Sequence, residues 1–154
     1  MTEFFAIRPM TNGDIDAIVA IASSLPDAPH WTRSSYEAVF APNSSPSRIA
    51  LVAEVSDSRI AGFLLASLIP PQAELESIAV AVDFQRRGVA RRLFEAICQE
   101  LPNRNCSEIL LEVRPSNFAA RAYYRSLGFS ETARRPAYYA NPVEDAILMN
   151  RSVS

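Results

Sequence analysis

The chain has 154 residues, of which 49% are hydrophobic, and a formal net charge of −2 at pH 7. A chain of this length buries about 70% of its unfolded surface, which predicts a single domain, residues 1–154, whose core needs no disulfide. Because there is no excess of basic residues to displace the counterions of a nucleic acid, general nucleic-acid binding is excluded.

The N-terminal part predicts a strand and two helices. Residues 4–8 alternate weakly and precede a proline, as in an edge strand. The next helix has its apolar residues at helical spacing: Ile15, Ile18, Val19 and Ala22. A loop with two prolines, residues 24–31, ends it and carries His30 and Trp31, the only His and Trp of the chain. Thr32 or Ser34 then caps a second short helix.

Three closely spaced strands follow. Residues 49–55 and 59–67 are apolar and are separated by a short turn, which predicts a β-hairpin. A third strand, residues 74–82, completes an antiparallel meander.

The third strand leads into the stretch Gln85-Arg86-Arg87-Gly88-Val89-Ala90, where the next helix begins. The first N–H groups of a helix lack intrahelical partners and carry the positive end of the helix dipole, so this stretch is suited to binding a phosphate. Four arginines add charge at the same place: Arg86, Arg87, Arg91 and Arg92. Gly88 allows a close approach of the backbone to a ligand. The patterns GxxxxGK[ST] and GxGxxG are both absent. The expected ligand is a pyrophosphate.

The helix that begins at Gly88 has one apolar stripe and ends at Pro102. The following strand, residues 108–114, is nearly continuous in apolar residues, which is typical of a strand buried on both faces. Glu112 interrupts it. A carboxylate in such a strand is rare unless it is paired or takes part in chemistry.

The next helix, residues 118–127, is capped by Ser116 or Asn117 and ends at Gly128. Asn117 and Tyr124 are seven residues apart, which places them on one helical face about 10 Å apart along the axis. The face between them is suited to a thin, extended arm of a ligand.

Together these elements predict an α/β (α+β) fold with a mixed, largely antiparallel central sheet and helices on both faces. The strands at 74–82 and 108–114 are expected to run parallel, joined by the helix at 88–101 as a right-handed crossover. They are expected to splay apart and to bind a cofactor in the cleft between them.

The sequence also predicts the cellular location of the protein and the state of its two cysteines. The sequence contains no signal peptide and no apolar run long enough to span a bilayer, which predicts a cytoplasmic protein without a membrane partner. Cys98 and Cys106 are then expected to be buried or unreactive thiols. No metal site is predicted.

Several motifs resemble those of one superfamily. The stretch from Gln85 to Ala90, after a strand that ends Ile-Ala-Val, resembles the acyl-coenzyme A pyrophosphate loop (Q/R-x-x-G-x-G/A) of the GCN5-related N-acetyltransferases (GNAT). The downstream stretches that resemble the same core are residues 111–117 (Leu-Glu-Val-Arg-Pro-Ser-Asn), Ala120, Tyr123-Tyr124 and residues 126–129 (Ser-Leu-Gly-Phe). With Arg134-Arg135, Tyr138-Tyr139 and Glu144-Asp145-Ala146 included, residues 73–149 are similar to the RimI-type ribosomal-protein alanine N-acetyltransferases.

The resemblance implies an acetyl-CoA-dependent N-acetyltransferase that acts on the N-terminal α-amine of a protein, as a monomer or weak homodimer. It implies that Glu112 is the general base, that Tyr124 is the general acid and that Asn117 contacts the cofactor arm. The other implied cofactor contacts are Ile78, Ala79, Val80, Arg86, Arg87, Gly88, Val89, Ala90 and Arg91. Trp31, Tyr138 and Tyr139 are implied to hold the leading residues of the acceptor peptide. The two tyrosines belong to residues 134–142, which are predicted to lie between two C-terminal strands.

Alternatives for these residues stay open. Glu112 is alternatively the partner of Arg114 or Arg121 in a salt bridge. Other branches of the superfamily place the base on the preceding strand, where Glu74 and Glu76 stand. Tyr124 is alternatively a core aromatic residue, and the tyrosine pair at 138–139 alternatively packs over the sheet edge.

Two other activities stay open as well. The first is an acetyltransferase for a small-molecule amine, because substrate pockets in this fold are built from variable loops. The second is a non-catalytic module that binds acyl-CoA and regulates a partner. Such a module would not require Glu112 and Tyr124 together, so the presence of both favours an enzyme.

Overall fold

The computed structural model describes residues 5–25, 31–42, 46–140 and 142–153. Within these ranges, seven strands form one sheet in the order β1-β2-β3-β4-β5-β7-β6. The strands are β1 (Phe5–Pro9), β2 (Ser47–Val55), β3 (Ile60–Ile69), β4 (Gln72–Val80), β5 (Glu108–Val113), β6 (Ser130–Tyr139) and β7 (Glu144–Ser152). Among the described strands, the β4–β5 pair is parallel and the other neighbouring pairs are antiparallel. The predicted mixed, largely antiparallel sheet is confirmed.

Helices cover both faces of the sheet. They are α1 (Ile15–Ser23), α2 (Arg33–Ala38), α3 (Val89–Glu100) and α4 (Phe118–Ser126). On one face, Ile18 of α1 and Tyr36 of α2 pack with Phe63 of β3. On the other face, Leu93 of α3 packs with Leu64 of β3, the next residue along the strand. Because neighbouring strand residues point to opposite faces, β3 is buried on both sides.

The helix ends follow the side chains that cap them. The Thr32 hydroxyl accepts the Ser35 N–H at the start of α2, and the Asn117 Oδ1 atom accepts the Ala120 N–H at the start of α4. The α3 helix ends at Glu100 and continues as a short 3₁₀ helix through Leu101–Arg104. In the described part of the chain, no helix is long and apolar enough to cross a membrane.

The central strands splay apart as predicted. Parallel β4 and β5 are paired over three residues only, from Gln72 with Glu108 to Glu74 with Leu110. Beyond Glu74, β4 stays paired with β3, and β5 stays paired with β7. A β-bulge at Glu76 accompanies this departure, because the register with β3 shifts between Ser77 and Leu75. A bulge increases the local twist of a strand, which carries the end of β4 away from β5.

Three predictions of local structure are wrong. The β4 strand ends at Val80 rather than at residue 82, because Val82–Phe84 form a 3₁₀ helix. The β5 strand is not buried on both faces: its residues alternate between buried and half-buried, and Glu112 lies on the less covered face. Residues 134–139, predicted to lie between the last two strands, belong to β6 itself.

Candidate active site

The loop before α3 has an unusual backbone. Arg86 (φ 64°) and Gly88 (φ 82°) are both in the left-handed region, which is unfavourable for a residue with a side chain. A Cβ atom added to Gly88 would meet no described atom within 4 Å. The positive φ, and not crowding within the chain, is therefore the reason for glycine at this position. Val89 is buried, so it presents its main chain to the loop and not its side chain.

The arginines around this loop differ in their contacts. The guanidinium of Arg87 lies 5.6 Å from the centre of the Phe84 ring, and the Arg92 Nη2 atom donates to the Phe5 carbonyl at 3.2 Å. Both therefore hold the loop and α3 against the rest of the protein. The side chains of Arg86 and Arg91 are exposed at the start of α3.

The splay leaves one edge of β4 facing the cleft. The Ala81 N–H donates to the Ala61 carbonyl of β3 at 2.8 Å. Because the peptide groups of a strand alternate between its two edges, Ala79 also faces β3, whereas Ile78 and Val80 face the cleft. The Gln85 side chain donates to the Val80 carbonyl at 3.1 Å. The cleft edge of β4 therefore has main-chain groups that β5 does not pair.

Glu112 lies on β5 across the cleft from β4. Its side chain is 15% exposed, and its Oε1 atom lies 3.3 Å from Nη2 of Arg135 on β6. Its Oε2 atom is buried and has no hydrogen-bond partner among the described residues. Neither arginine considered from the sequence is its partner: Arg114 pairs with Glu144 at 3.0 Å and Arg121 with Glu131 at 2.9 Å. One carboxylate oxygen is thus covered by the protein and has no hydrogen bond from a described residue.

The two carboxylates of β4 have different surroundings. Both oxygens of Glu76 accept from Arg48, at 2.7 and 3.3 Å, and the guanidinium of Arg48 lies 5.5 Å from the centre of the Trp31 ring. Glu76 is therefore engaged in a bidentate pair. Glu74 is largely exposed and is not fully hydrated. The partial loss of hydration raises its pKa, and the charges of Glu112 and Glu76 raise the pKa further.

Three tyrosines extend the site. Burial raises the pKa of Tyr124 to about 12, with smaller contributions from Tyr123 and Tyr139. Tyr124 therefore keeps its proton at neutral pH, as a proton donor must. Hydrogen bonding to Glu112 raises the pKa of Tyr138, and burial followed by the Glu112 charge raises the pKa of Tyr139 to about 12.

The remaining predicted residues lie at the edges of the site. The Oδ1 atom of Asn117 caps α4, so its amide N–H groups are what it can offer to a ligand. Trp31 stacks on Tyr36 with ring centres 5.4 Å apart. His30, which stands beside Trp31 in the sequence, lies outside the described residues.

The sequence did not predict the partners of the two glutamates: Arg135 was named only as part of a motif, and Arg48 was not named. Arg135 is 23 positions from Glu112 in the chain, and Arg48 is 28 positions from Glu76. Local spacing carries no signal for such pairs; only the strand register brings them together.

The arrangement combines main-chain donors, a helix start with exposed arginines, an unpaired carboxylate oxygen and a protonated tyrosine. These groups suit a transfer that binds a phosphate-bearing donor, removes a proton from a nucleophile and supplies a proton to a leaving group.

The chain is similar in sequence and in structure to known acetyltransferases. The sequence profile of the acetyltransferase (GNAT) family matches residues 16–129. The ribosomal protein bS18-alanine N-acetyltransferase of Salmonella typhimurium is 46% identical over 101 residues, which cover 64% of this chain and 68% of that protein. An N-alpha-acetyltransferase of Saccharolobus solfataricus is 30% identical, over 96% of this chain and 92% of that protein. The crystal structure of the Escherichia coli ribosomal-protein-S18-alanine N-acetyltransferase is similar with a TM-score of 0.82 at 30% identity, covering 98% of this chain and 95% of that chain.

Proposed function

The chain belongs to the acetyltransferase (GNAT) family and is an acetyltransferase, and from this premise we propose that it moves an acetyl group from acetyl-CoA to the N-terminal α-amine of a protein. The observation that carries the proposal is the unpaired oxygen of Glu112 at the splay, across from the cleft edge of β4. A ribosomal protein is the acceptor that the similar enzymes of Salmonella and Escherichia suggest.

The residues at the splay fit acetyl-CoA. Bound there, acetyl-CoA supplies the acetyl group as a reactive thioester. The cleft-facing main-chain groups of Ile78 and Val80 offer hydrogen bonds to the pantetheine arm and the acetyl carbonyl. The start of α3 offers the pyrophosphate its first N–H groups together with the side chains of Arg86 and Arg91.

Two side chains handle the protons. Glu112 takes a proton from the acceptor ammonium, directly or through a water, because Oε2 has a lone pair that no described group uses. Tyr124 gives its hydroxyl proton to the departing thiolate, and its raised pKa, about 12, keeps it in the proton-donating form.

The acceptor is an α-amine rather than a lysine side chain. Freeing an α-amine of its proton at pH 7 costs about 1 kcal/mol, whereas freeing a lysine costs about 5 kcal/mol. Of the other two carboxylates near the cleft, Glu76 is already paired with Arg48, and Glu74 lies on β4 with a raised pKa. Glu112 with its unpaired oxygen suits the easier deprotonation.

The donor half of the proposal is tested by calorimetry with acetyl-CoA. We expect Gly88→Ala to weaken binding more than Arg86→Ala does, because a side chain at φ 82° strains the loop whereas the arginine change leaves the N–H groups in place. Gly13→Ala is the matched control, because a Cβ there meets only Thr11 Oγ1, at an ordinary 3.7 Å. No binding by the wild type, or unaltered binding by Gly88→Ala, contradicts the assignment.

The acceptor half is tested with peptides of one sequence whose N-terminus is free or blocked, each with and without an internal lysine. We expect mass spectrometry to locate the acetyl group on the free N-terminus. Equal modification of the blocked, lysine-containing peptide contradicts the α-amine assignment. Modification of small amines but of no peptide would favour the small-molecule enzyme, and acetyl-CoA binding without transfer to any amine would favour the non-catalytic module.

A further inference from the structure

Arg135 occupies the place at Glu112 that a cationic acceptor needs. We propose that Arg135 is a displaceable counter-ion: its guanidinium balances the Glu112 carboxylate in the free enzyme, and the ammonium of the acceptor takes over that carboxylate. This makes Arg135 a positioning residue that acts through Glu112, and the inference rests on the proposed function.

The geometry of the pair is that of a loose contact. One guanidinium nitrogen approaches one carboxylate oxygen, at 3.3 Å, whereas a charge-assisted N–H···O bond is usually 2.7–2.9 Å long. The Arg135 side chain is 53% exposed. The Arg48–Glu76 pair is the contrast within the same cleft, because it is bidentate, begins at 2.7 Å and has both side chains 19% exposed.

The backbone next to Arg135 is irregular. The register of β6 and β7 shifts between Arg135 and Tyr139, so three residues of β6 oppose a single residue, Asp145, of β7. Ala137, inside the shift, has φ 49°, and its N–H donates to the Asp145 carboxylate at 3.0 Å. The guanidinium of Arg135 lies 4.9 Å from the centre of the Tyr138 ring, which is itself 47% exposed. Arg135 thus has an exposed aromatic surface beside it when it leaves the carboxylate.

The charges around Glu112 favour a second cation. Glu74 of β4 adds a negative charge near enough to interact with both Glu112 and Arg135. Tyr138 and Tyr139 of β6 face the same carboxylate and are neutral, because their pKa values are raised. Further out, Glu76 is neutralised by Arg48, and Arg114 by Glu144. An arriving ammonium therefore meets two carboxylates and one loosely bound guanidinium.

Steady-state kinetics of Arg135→Gln test the proposal across a pH series. The profile of kcat/KM reports the free enzyme and that of kcat reports the substrate complex. We expect the acidic limb of kcat/KM to move to higher pH, because the free carboxylate takes up a proton more readily without its cation. The acidic limb of kcat should stay in place, because Arg135 has already left Glu112 in the complex. Loss of the competing guanidinium should lower KM about two- to five-fold at pH 8, the worth of an exposed ion pair.

Two variants serve as controls. Arg135→Lys keeps a cation and should restore the wild-type limb. Arg125→Gln removes an arginine that is 54% exposed, like Arg135, and that pairs with Glu131 on the surface. Glu131 keeps its second partner, Arg121, so this variant should leave both limbs in place. Movement of both limbs in Arg135→Gln would mean that the pair persists through catalysis, and movement of neither would mean that the contact is inert; either result overturns the proposal.

A measurement without turnover separates this inference from the proposed function. Carbon-13 spectra of the enzyme labelled at glutamate Cδ, with Glu112→Gln for assignment, follow the titration of Glu112 in the free protein. We expect its midpoint to rise in Arg135→Gln and not in Arg125→Gln. An unchanged midpoint overturns the role of Arg135 whatever the acceptor is, whereas a shifted midpoint in an enzyme that acetylates no peptide overturns only the proposed acceptor.

Discussion

Glu76 on β4 and Glu112 on β5 are two carboxylates of similar burial on opposite sides of one cleft. Their side chains are 19% and 15% exposed, so burial alone does not distinguish them. Their partners do: Arg48 occupies both oxygens of Glu76, whereas Arg135 touches one oxygen of Glu112 and leaves the other without a described partner. Glu76 is held at both oxygens by one arginine, whereas Glu112 has one oxygen without a hydrogen bond in the described part of the chain, and that oxygen is able to accept a proton.

The difference arises from the elements that supply the two arginines. Arg48 lies on β2, within the meander, and packs beside Trp31 at the start of α2. Arg135 lies on β6, the edge strand, next to an irregular stretch of the last hairpin. The partner from the regular part of the sheet makes two hydrogen bonds, and the partner from the edge makes one longer contact and is more than half exposed.

The largest expected effect comes from removing each carboxylate in turn. We expect Glu112→Gln to lower kcat about 10²–10⁴-fold, with the loss greatest at low pH, where the acceptor is fully protonated, and partly recovered as pH rises. Glu76→Gln should lower kcat much less, because its carboxylate is already committed to Arg48. Initial rates from pH 6 to 10 check this. A larger loss in Glu76→Gln than in Glu112→Gln would reverse the comparison and transfer the role of base to β4.

The next largest effect is expected at Tyr124, the proposed donor of a proton to the departing thiolate. Tyr124→Phe should lower kcat by about 10²-fold with little change in acetyl-CoA affinity, since the ring and its packing on Phe129 are kept. Because the pKa of Tyr124 is about 12, the wild type should show no alkaline loss attributable to this residue below about pH 11. Tyr123→Phe, one residue away on α4, is the control. Equal rates for the two variants would remove Tyr124 from the mechanism.

A third prediction tests the structural character of the Glu76 pair. Arg48→Met leaves a largely buried carboxylate without its partner and should lower the free energy of unfolding by about 1–3 kcal/mol. Arg135→Gln should cost much less, within about 1 kcal/mol, because its side chain is more than half exposed. Urea unfolding measures both. The double variant Arg48→Met, Glu76→Leu should recover part of the lost free energy of unfolding, because no unpaired charge remains. Similar losses for Arg48→Met and Arg135→Gln would contradict the contrast between the two pairs.

The smallest effect is expected at Glu74. The pKa of Glu74 is raised in the folded protein, so the folded state favours the protonated form of this carboxyl. Above the raised pKa the carboxyl is ionised, and its ionised form lowers the free energy of unfolding. Glu74→Gln should therefore raise the melting temperature slightly at pH 7 and should give no gain below the unfolded pKa of about 4.3. Thermal unfolding at pH 7 and pH 4 checks the sign. A gain that is equal at both pH values would mean that the charge of Glu74 is not involved.

Much of the fold was predictable because its signals are local. The cap at Asn117, the apolar stripe of α3 and the closely spaced hairpin of β2 and β3 each depend on residues near one another in sequence. The crossover from β4 to β5 followed from the handedness of such connections. The family was likewise recognised from contiguous motifs, and the profile match confirms it.

Other features were mispredicted or missed for reasons that are equally physical. The β5 strand was expected to be buried on both faces because its residues are apolar, yet the splay uncovers the face that carries Glu112. The close approach of a ligand at Gly88 stays a prediction; what the sequence did not show is the positive φ of this residue, 82°. Neither the extent of a cleft nor a backbone dihedral angle can be read from residue types.

The sequence by itself determined most of the secondary structure, the arginine-rich loop before α3 and the presence of Glu112, since these depend on propensity, periodicity and motif over short stretches. Only the tertiary structure decided which carboxylate has an unpaired oxygen, because that depends on two arginines brought from β2 and β6 to the two sides of the cleft. An ion pair requires the two charged groups to lie within about 4 Å of each other in space. Strand register, and not distance along the chain, therefore decides whether a glutamate is occupied or available.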